Sequence, residues 1–172
     1  MSNDASPIPP TPSAPQVAVA LTHILVPVDF SPRAQKALAY GVALARQFGA
    51  KLTVLHVIEL AYVSSGLGEV DLLPIETGLR GNASEELARL VQSQTAGIAT
   101  VSQVVRTGQP WYEIAEAARE AAADLVIVGT HGYTGLKHVL LGSTAERVVR
   151  HAPCPVLVVR EQEQEFVKGV VA

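Results

Sequence analysis

Short apolar runs rich in branched side chains recur along the chain, and segments with helical periodicity lie between them. Such runs occupy residues 24–26, 125–128 and 156–159. A strand that is apolar on both sides suits a parallel sheet whose two faces are covered by helices. Because strands alternate with helices, we expect right-handed crossovers between parallel strands. The sequence therefore predicts an α/β fold with one open sheet.

The order of the predicted elements follows from these runs and from helix signals. We expect strands within residues 17–28 and at residues 51–58, 99–105, 125–128 and 156–159. The first helix is predicted to begin at Ser31-Pro32, as N-cap and first helical residue, and to stop at Gly49. Further helices are predicted from Asn82 to near Gly97, at residues 111–123 and at residues 145–150, with residues 59–81 as an irregular segment.

The length of 172 residues predicts one domain with tails. Residues 1–19 are rich in proline and nearly uncharged, so we interpret them as a disordered tail. The domain is expected to span residues 20–161, and residues 162–172 are expected to form a C-terminal tail. A hydrophobic content of 48% against 17% charged residues is typical of a well-buried sheet between helices.

Composition also argues against several classes of partner and compartment. The formal net charge of −3 and the lack of a Lys/Arg cluster give no electrostatic drive toward nucleic acid or an anionic membrane. No apolar run approaches the roughly 18 residues that a membrane span needs, and no signal peptide is visible. The single cysteine, Cys154, excludes an intrachain disulfide. We therefore expect a cytoplasmic protein that does not bind nucleic acid or membranes.

A glycine-containing loop follows the strand predicted at residues 125–128. Gly129 and Gly132 lie at its start, and Gly142 precedes Ser143, where the sequence S-x-x-E to Glu146 has the form of a capping box. Glycines let the backbone approach a ligand closely, and a helix N-terminus offers free N–H groups to an anion. The spacing indicates a phosphate site, although a plain connection with flexible glycines would fit the spacing as well.

Asp29 follows the first predicted strand, at the carboxyl edge of the sheet where open α/β folds bind their ligands. A carboxylate at this edge could accept hydrogen bonds from ribose hydroxyls. The alternatives are a solvated turn carboxylate and a supplementary helix cap. His56 has no second histidine or carboxylate at metal-ligand spacing, so we interpret it as a packed or surface histidine.

The spacing Gly129-x2-Gly132-x9-Gly142-Ser143 resembles the nucleotide-binding signature of the universal stress protein family. The resemblance extends to residues 24–31 (ILVPVDFS) and to residues 55–58 (LHVI). Together these segments cover nearly all of residues 20–160, in the order found in the family. The resemblance implies a Rossmann-like open sheet of five parallel strands in the order 3-2-1-4-5, with helices on both faces.

The resemblance also implies a ligand and a set of contacts. The ligand would be ATP, or ADP or AMP, with Mg²⁺ carried on the phosphates, and the Val57 backbone would contact adenine. The implied binding residues are Pro27, Val28, Asp29, Val57, Val128, Gly129, His131, Gly132, Gly142, Ser143 and Thr144. A homodimer would form through the last strand, which comprises Val156, Leu157, Val158 and Val159. A regulatory role would add a protein partner that the sequence does not identify.

Three functions remain open from the residues. The first is an ATP-binding, nucleotide-dependent stress-response regulator. The second is a slow ATPase or phosphotransferase that uses the same site, for which His131 is the one plausible general base in the loop. The third is an interaction protein that binds no nucleotide, but such a protein would not need the glycine pattern. No Walker A loop or zinc spacing is present in the sequence. We therefore favour the regulator.

Overall fold

The computed structural model describes residues 18–59, 73–130, 142–160, 164 and 166–167, with residues 73–75 described through their backbone alone. In chain order the elements are β1 (His23–Pro27), α1 (Pro32–Phe48), β2 (Lys51–Ile58), α2 (Leu73–Gln94), β3 (Val101–Thr107), α3 (Pro110–Glu120), β4 (Leu125–Gly129), α4 (Ser143–His151) and β5 (Val156–Val159). None of the helices in these ranges is long and apolar enough to cross a membrane.

The strands form one sheet of five in the order β3-β2-β1-β4-β5, and neighbouring strands all run parallel. Helices α1 and α2 pack on one face, around Leu38 and Leu87, against inward residues of the strands. Helices α3 and α4 pack on the other face, around Ile114 and Val148. The predicted fold class, strand order and covering of both faces are therefore confirmed.

Helix α1 has the predicted ends. Ser31 is its N-cap and its hydroxyl accepts a hydrogen bond from the Ala34 N–H, while Pro32 occupies the first turn. The helix stops at Gly49, which has the left-handed φ of 66° that a glycine adopts without steric cost. The start of α1 is thereby fixed directly after β1, which matters for the turn that joins them.

Glycines let α1 lie unusually close to the sheet at two places. A Cβ at Gly41 would come within 2.5 Å of Val26 Cγ2, in the central strand β1. A Cβ at Gly129, the last residue of β4, would lie 3.2 Å from the backbone carbon and oxygen of Arg33. Close packing against α1 is thus a sufficient reason for glycine at position 129.

The sequence interpretation of residues 59–81 as irregular is wrong from Leu73 onward, because α2 begins there. Pro74 lies in the first turn, where its missing N–H has no partner within the helix to lose. Gly78 and Gly81 lower the helix signal, but their Cβ positions meet nothing within 4 Å. Packing stabilises α2 through its second half, where Ala83, Leu87 and Val91 are buried, and the helix extends from there through a first half of weak intrinsic propensity.

Smaller differences concern element ends and the C-terminus. β3 spans Val101–Thr107, two residues later than predicted, and α3 stops at Glu120. The ring of Phe166 contacts that of Tyr40, with centroids 5.0 Å apart, and Val167 packs against the core. Part of the predicted C-terminal tail thus lies against α1, and the predicted domain limits stay a prediction.

Asp124 joins the start of β1 to the start of β4 at the amino edge of the sheet. Its Oδ2 accepts hydrogen bonds from the Thr22 N–H (2.7 Å), the Thr22 hydroxyl (2.7 Å) and the His23 N–H (2.9 Å). These bonds, led by that of the Thr22 hydroxyl, lower the pKa of the Asp124 carboxyl. The charged form of Asp124 therefore stabilises the register of the central strands.

The Asp124 carboxylate should make folding stability depend on pH. Because its pKa is depressed in the folded protein, its contribution is present above the unfolded-state pKa of about 4 and is lost as the pH falls through the folded value. We expect Asp124→Asn to reduce the free energy of unfolding at about pH 7, with the difference from wild type shrinking toward about pH 3.

Urea unfolding of both proteins across this pH range measures the difference in the free energy of unfolding. Glu85→Gln, which removes an exposed pair with Arg89, is the control. Parallel pH profiles for wild type and Asp124→Asn would contradict the assignment.

The packing of β4 against α1 gives a second prediction. Gly129→Ala should lower the free energy of unfolding by about 1–3 kcal/mol, because the added Cβ presses on the Arg33 backbone, which belongs to a helix and yields little. Gly78→Ala, in open space on α2, should instead raise it by about 0.5–1 kcal/mol. Chemical denaturation of the two variants tests this. Equal effects of the two substitutions would show that Gly129 is not needed for packing.

Candidate functional site

The carboxyl edge of the sheet opens between β1 and β4. Their backbone pairing ends at Leu25↔Val126, before the last residue of either strand. From this edge β1 leads into α1 on one face, whereas β4 leads toward α4 on the other face. A crevice of this kind, where successive connections leave in opposite directions, is the usual ligand position in an open parallel sheet.

Most of the binding residues inferred from the sequence end up at this edge. The residues that strand ends and helix starts place at the carboxyl edge are Pro27, Val28, Asp29, Val57, Val128, Gly129, Gly142, Ser143 and Thr144. The side chains of Val28 and Val128 are each 4% exposed and belong to the core on opposite faces. These two residues can therefore offer a ligand only their backbone. His131 and Gly132 lie outside the described residues.

The Asp29 carboxylate is built into the turn between β1 and α1. Its Oδ1 accepts hydrogen bonds from the Ser31 hydroxyl (2.6 Å) and the Ser31 N–H (3.1 Å). Since the same hydroxyl accepts from Ala34 N–H, Asp29 is linked to the first turn of α1. Within the described chain the hydrogen bonds to this carboxylate go to Oδ1, and the residue is half-buried. Asp29 thus supports the cap, as one of its alternative interpretations held, and keeps Oδ2 as an acceptor.

The backbone conformation of Phe30 sets the direction of the turn between β1 and α1. Its φ of 63° is left-handed, which costs a residue with a Cβ about 1–2 kcal/mol. Two contacts hold it there: the Gln35 side-chain amide donates to the Phe30 carbonyl (3.2 Å), and the Phe30 ring stacks on His56 with centroids 4.5 Å apart. The sequence did not single out Phe30, because left-handed backbone in a non-glycine residue has no sequence signature.

The backbone pairing of β1 with β2 ends two residues before Val57. The register ends at Pro27↔Leu55, and the last backbone bond runs from Val28 N–H to the Leu55 carbonyl (2.8 Å). In a parallel ladder alternate residues point their N–H and C=O groups to the same neighbour, so those of Val57 point toward β1, as those of Leu55 do. No backbone group among the described residues pairs with Val57 on that side. Both groups therefore face the space beyond the end of β1.

His56, which the sequence suggested was merely packed or exposed, has a defined partner. Its Nδ1 lies 2.8 Å from the Val28 carbonyl oxygen, and its ring lies against Phe30. A carbonyl oxygen can only accept, so Nδ1 carries the hydrogen. His56 was missed because a histidine near a strand end carries no pattern that distinguishes it from a surface residue.

The start of α4 differs from the prediction. The N-cap is Gly142, not Ser143, and no side chain in the described ranges caps the helix. Ser143 is instead the first helical residue, and Glu146 pairs with Arg150 rather than reaching back (2.7 Å). The predicted capping box is therefore wrong, because it would require Ser143 to stand outside the helix. The first-turn N–H groups of α4 have no partner within the helix.

Hydrogen bonds close the base of the glycine loop. The Gly142 N–H donates to the Thr130 carbonyl, and the Thr130 N–H donates to the Val159 carbonyl (3.1 Å). Thr130 is buried at 3% exposure. The start of α4 is thereby held beside the carboxyl end of β4, even though the chain between them lies outside the described residues.

Two proteins solved with nucleotides have the same fold. One is the universal stress protein from Archaeoglobus fulgidus in complex with dAMP, at 24% identity and a TM-score of 0.56, which covers 81% of this chain and 98% of that one. The other is a universal stress protein in complex with cAMP, at 24% identity and a TM-score of 0.59, which covers 84% of this chain and 100% of that one. At this identity the likeness extends to the fold alone.

Proteins of higher sequence identity define the relationship more closely. A universal stress protein of Methanocaldococcus jannaschii is 32% identical over 142 residues, which are 83% of this chain and 84% of that protein. The structure of the universal stress protein UspA from Lactobacillus plantarum is similar with a TM-score of 0.66 at 30% identity, over 83% of this chain and 100% of that one. The model of the universal stress protein family matches residues 21–160. With this match over most of its length, the chain belongs to the universal stress protein family.

Proposed function

We propose that this protein binds ATP, or the related nucleotides ADP or AMP, in the crevice between β1 and β4 and acts as a nucleotide-dependent regulator. The observation that carries the proposal is the backbone of Val57 at the end of β2, which pairs with no described backbone group on the side of β1. It faces the same edge as the Asp29 carboxylate and the uncapped start of α4. These three elements offer groups suited to a base, a sugar and phosphates.

The base would be bound by the backbone of Val57. One residue presents an N–H donor and a C=O acceptor side by side, which complement the N1 acceptor and the N6 amino donor of adenine. The polar groups of the strand end are thereby satisfied by the ligand rather than by water. Pro27 and Val28 would border the base through the end of β1.

The sugar would be bound by Asp29. A carboxylate accepts hydrogen bonds from two hydroxyl groups, and the link through Ser31 to α1 fixes its orientation before a ligand arrives. Orientation in advance reduces the entropy that binding must remove.

The phosphates would be bound at the start of α4. The N–H groups of its first turn are capped by no described side chain, and a helix N-terminus favours negative charge. Ser143 is exposed and Thr144 half-buried, so their hydroxyls can add donors. We include Val128, Gly129, His131 and Gly132 in this part of the site, because the sequence motif joins them to Gly142. Mg²⁺ would be carried by the phosphates, whose oxygens are the ligands that this cation prefers.

The proposal extends to the assembly. β5 pairs with β4 on one side and is an edge strand on the other, and Val156, Leu157 and Val158 are each half-buried. An apolar edge strand left open invites pairing with another chain. We propose a homodimer in which β5 of one protomer meets β5 of its partner, with nucleotide binding controlling an interaction with a further protein.

Calorimetric titration with ATP, ADP and AMP, with and without Mg²⁺, tests the proposal. We expect micromolar binding of ATP, which corresponds to about −8 kcal/mol, with ATP recovered intact afterwards. Steady release of ADP would instead favour the hydrolytic alternative and direct mutagenesis to His131. No heat of binding with any of the three nucleotides would contradict the proposal and favour an interaction protein that binds no nucleotide.

The role of Asp29 gives a further prediction. Asp29→Ala should weaken ATP binding by about 1.5–3 kcal/mol, because a charged acceptor of ribose hydroxyls is lost. Ser31→Ala is the matched control: it removes the same Ser31–Asp29 side-chain bond but keeps the carboxylate, so its effect should be smaller. Titration of both variants, with circular dichroism to verify folding, makes the comparison. Equal affinities of Asp29→Ala and wild type would remove Asp29 from the site.

A further inference from the structure

The Val28 carbonyl has two possible hydrogen-bond donors, and the structure selects one of them. After the bond from Val28 N–H to the Leu55 carbonyl, the next bond of a regular parallel ladder would run from Val57 N–H to the Val28 carbonyl. That bond is absent among the described residues, and the register ends at Pro27↔Leu55. The His56 side chain donates to the Val28 carbonyl instead, over 2.8 Å.

We propose that His56 is a positioning residue whose bond holds the Val28 carbonyl oxygen toward the imidazole and so keeps the Val57 N–H available to a nucleobase. The inference rests on the proposed nucleotide function and adds to it a side chain that need not touch the ligand. Without the bond from His56, the Val28 carbonyl would accept a hydrogen bond from the Val57 N–H. That N–H would then be paired within the sheet. A base would then have to displace an existing backbone hydrogen bond.

The arrangement around the imidazole supports this role. The bond to Val28 holds one ring nitrogen, and the stacked Phe30 ring restricts rotation of the imidazole. The left-handed backbone of Phe30 turns the chain away after Asp29, so β1 does not continue alongside Val57. The unfavourable φ of Phe30 and the side-chain bond of His56 thus act together to open the ladder at one position.

The bond does not depend on the charge of the ring. Nδ1 carries a hydrogen both in the neutral tautomer that fits this geometry and in the protonated imidazolium. What matters is a donor at the position of Nδ1. An asparagine at position 56 can place its amide nitrogen near that position, whereas a leucine of similar volume has no donor.

Amide hydrogen exchange in the protein without nucleotide tests the inference directly. In wild type, we expect the Val57 amide to exchange at least about tenfold faster than that of Leu55, which lies within the ladder. In His56→Leu, the Val57 amide should become about tenfold slower, because it can now bond to the Val28 carbonyl. In His56→Asn, it should stay fast. A protected Val57 amide in wild type would overturn the inference, even if neither variant folds.

Nucleotide titration of the same proteins tests the consequence. We expect His56→Leu to bind ATP roughly three- to tenfold more weakly than wild type, and His56→Asn to retain most of the affinity. Unchanged affinity in a folded His56→Leu protein would overturn the positioning role. If the exchange rates follow the expected pattern but wild type binds no adenine nucleotide, the proposed function fails while the assignment of the His56 bond stands.

Discussion

Helix α1 lies so close to the centre of the sheet that glycine relieves crowding at two of the contacts between them. Gly41 faces Val26 in β1, and Gly129 at the end of β4 faces the Arg33 backbone. Because Pro32 begins the helix almost immediately after β1, the short turn between them must reverse direction in a few residues. That turn contains Asp29 and Phe30, so the position of the Asp29 carboxylate follows from the packing of a helix.

The same constraint leaves the carboxyl edge incomplete. β1 stops pairing with β4 at Leu25 and with β2 at Pro27, whereas β2 continues to Ile58. Backbone groups that a longer central strand would have satisfied therefore face the crevice. Unpaired backbone groups are costly when buried and useful when a ligand can pair with them. We see the proposed nucleotide site as the place where this sheet leaves hydrogen bonds for something else to complete.

Much of this could be inferred from residue patterns, and the exceptions have physical reasons. The alternation of strands and helices, both ends of α1 and the gathering of motif residues at one edge depend on hydrophobic runs, caps and glycine spacing, which are local signals. The strand order came instead from the resemblance to the universal stress protein family. The start of α2 was missed because Pro74 and Gly78 weaken a helix that packing stabilises. The capping box at Ser143 was wrong because motif spacing does not say which residue leaves the helix. His56 and Phe30 are held by contacts between residues distant in the sequence, and no local pattern indicates those contacts.

Mapping of amide chemical shifts on ¹⁵N-labelled protein during titration with ATP tests the central claim most directly. The proposed site predicts saturable shifts that are largest at Asp29, Val57, Gly129 and Ser143, which come from four different strand ends and helix starts. Residues of the opposite edge, such as Thr22 and Asp124, should change little. Shifts centred on that opposite edge, or spread over the surface without saturation, would contradict a nucleotide site between β1 and β4.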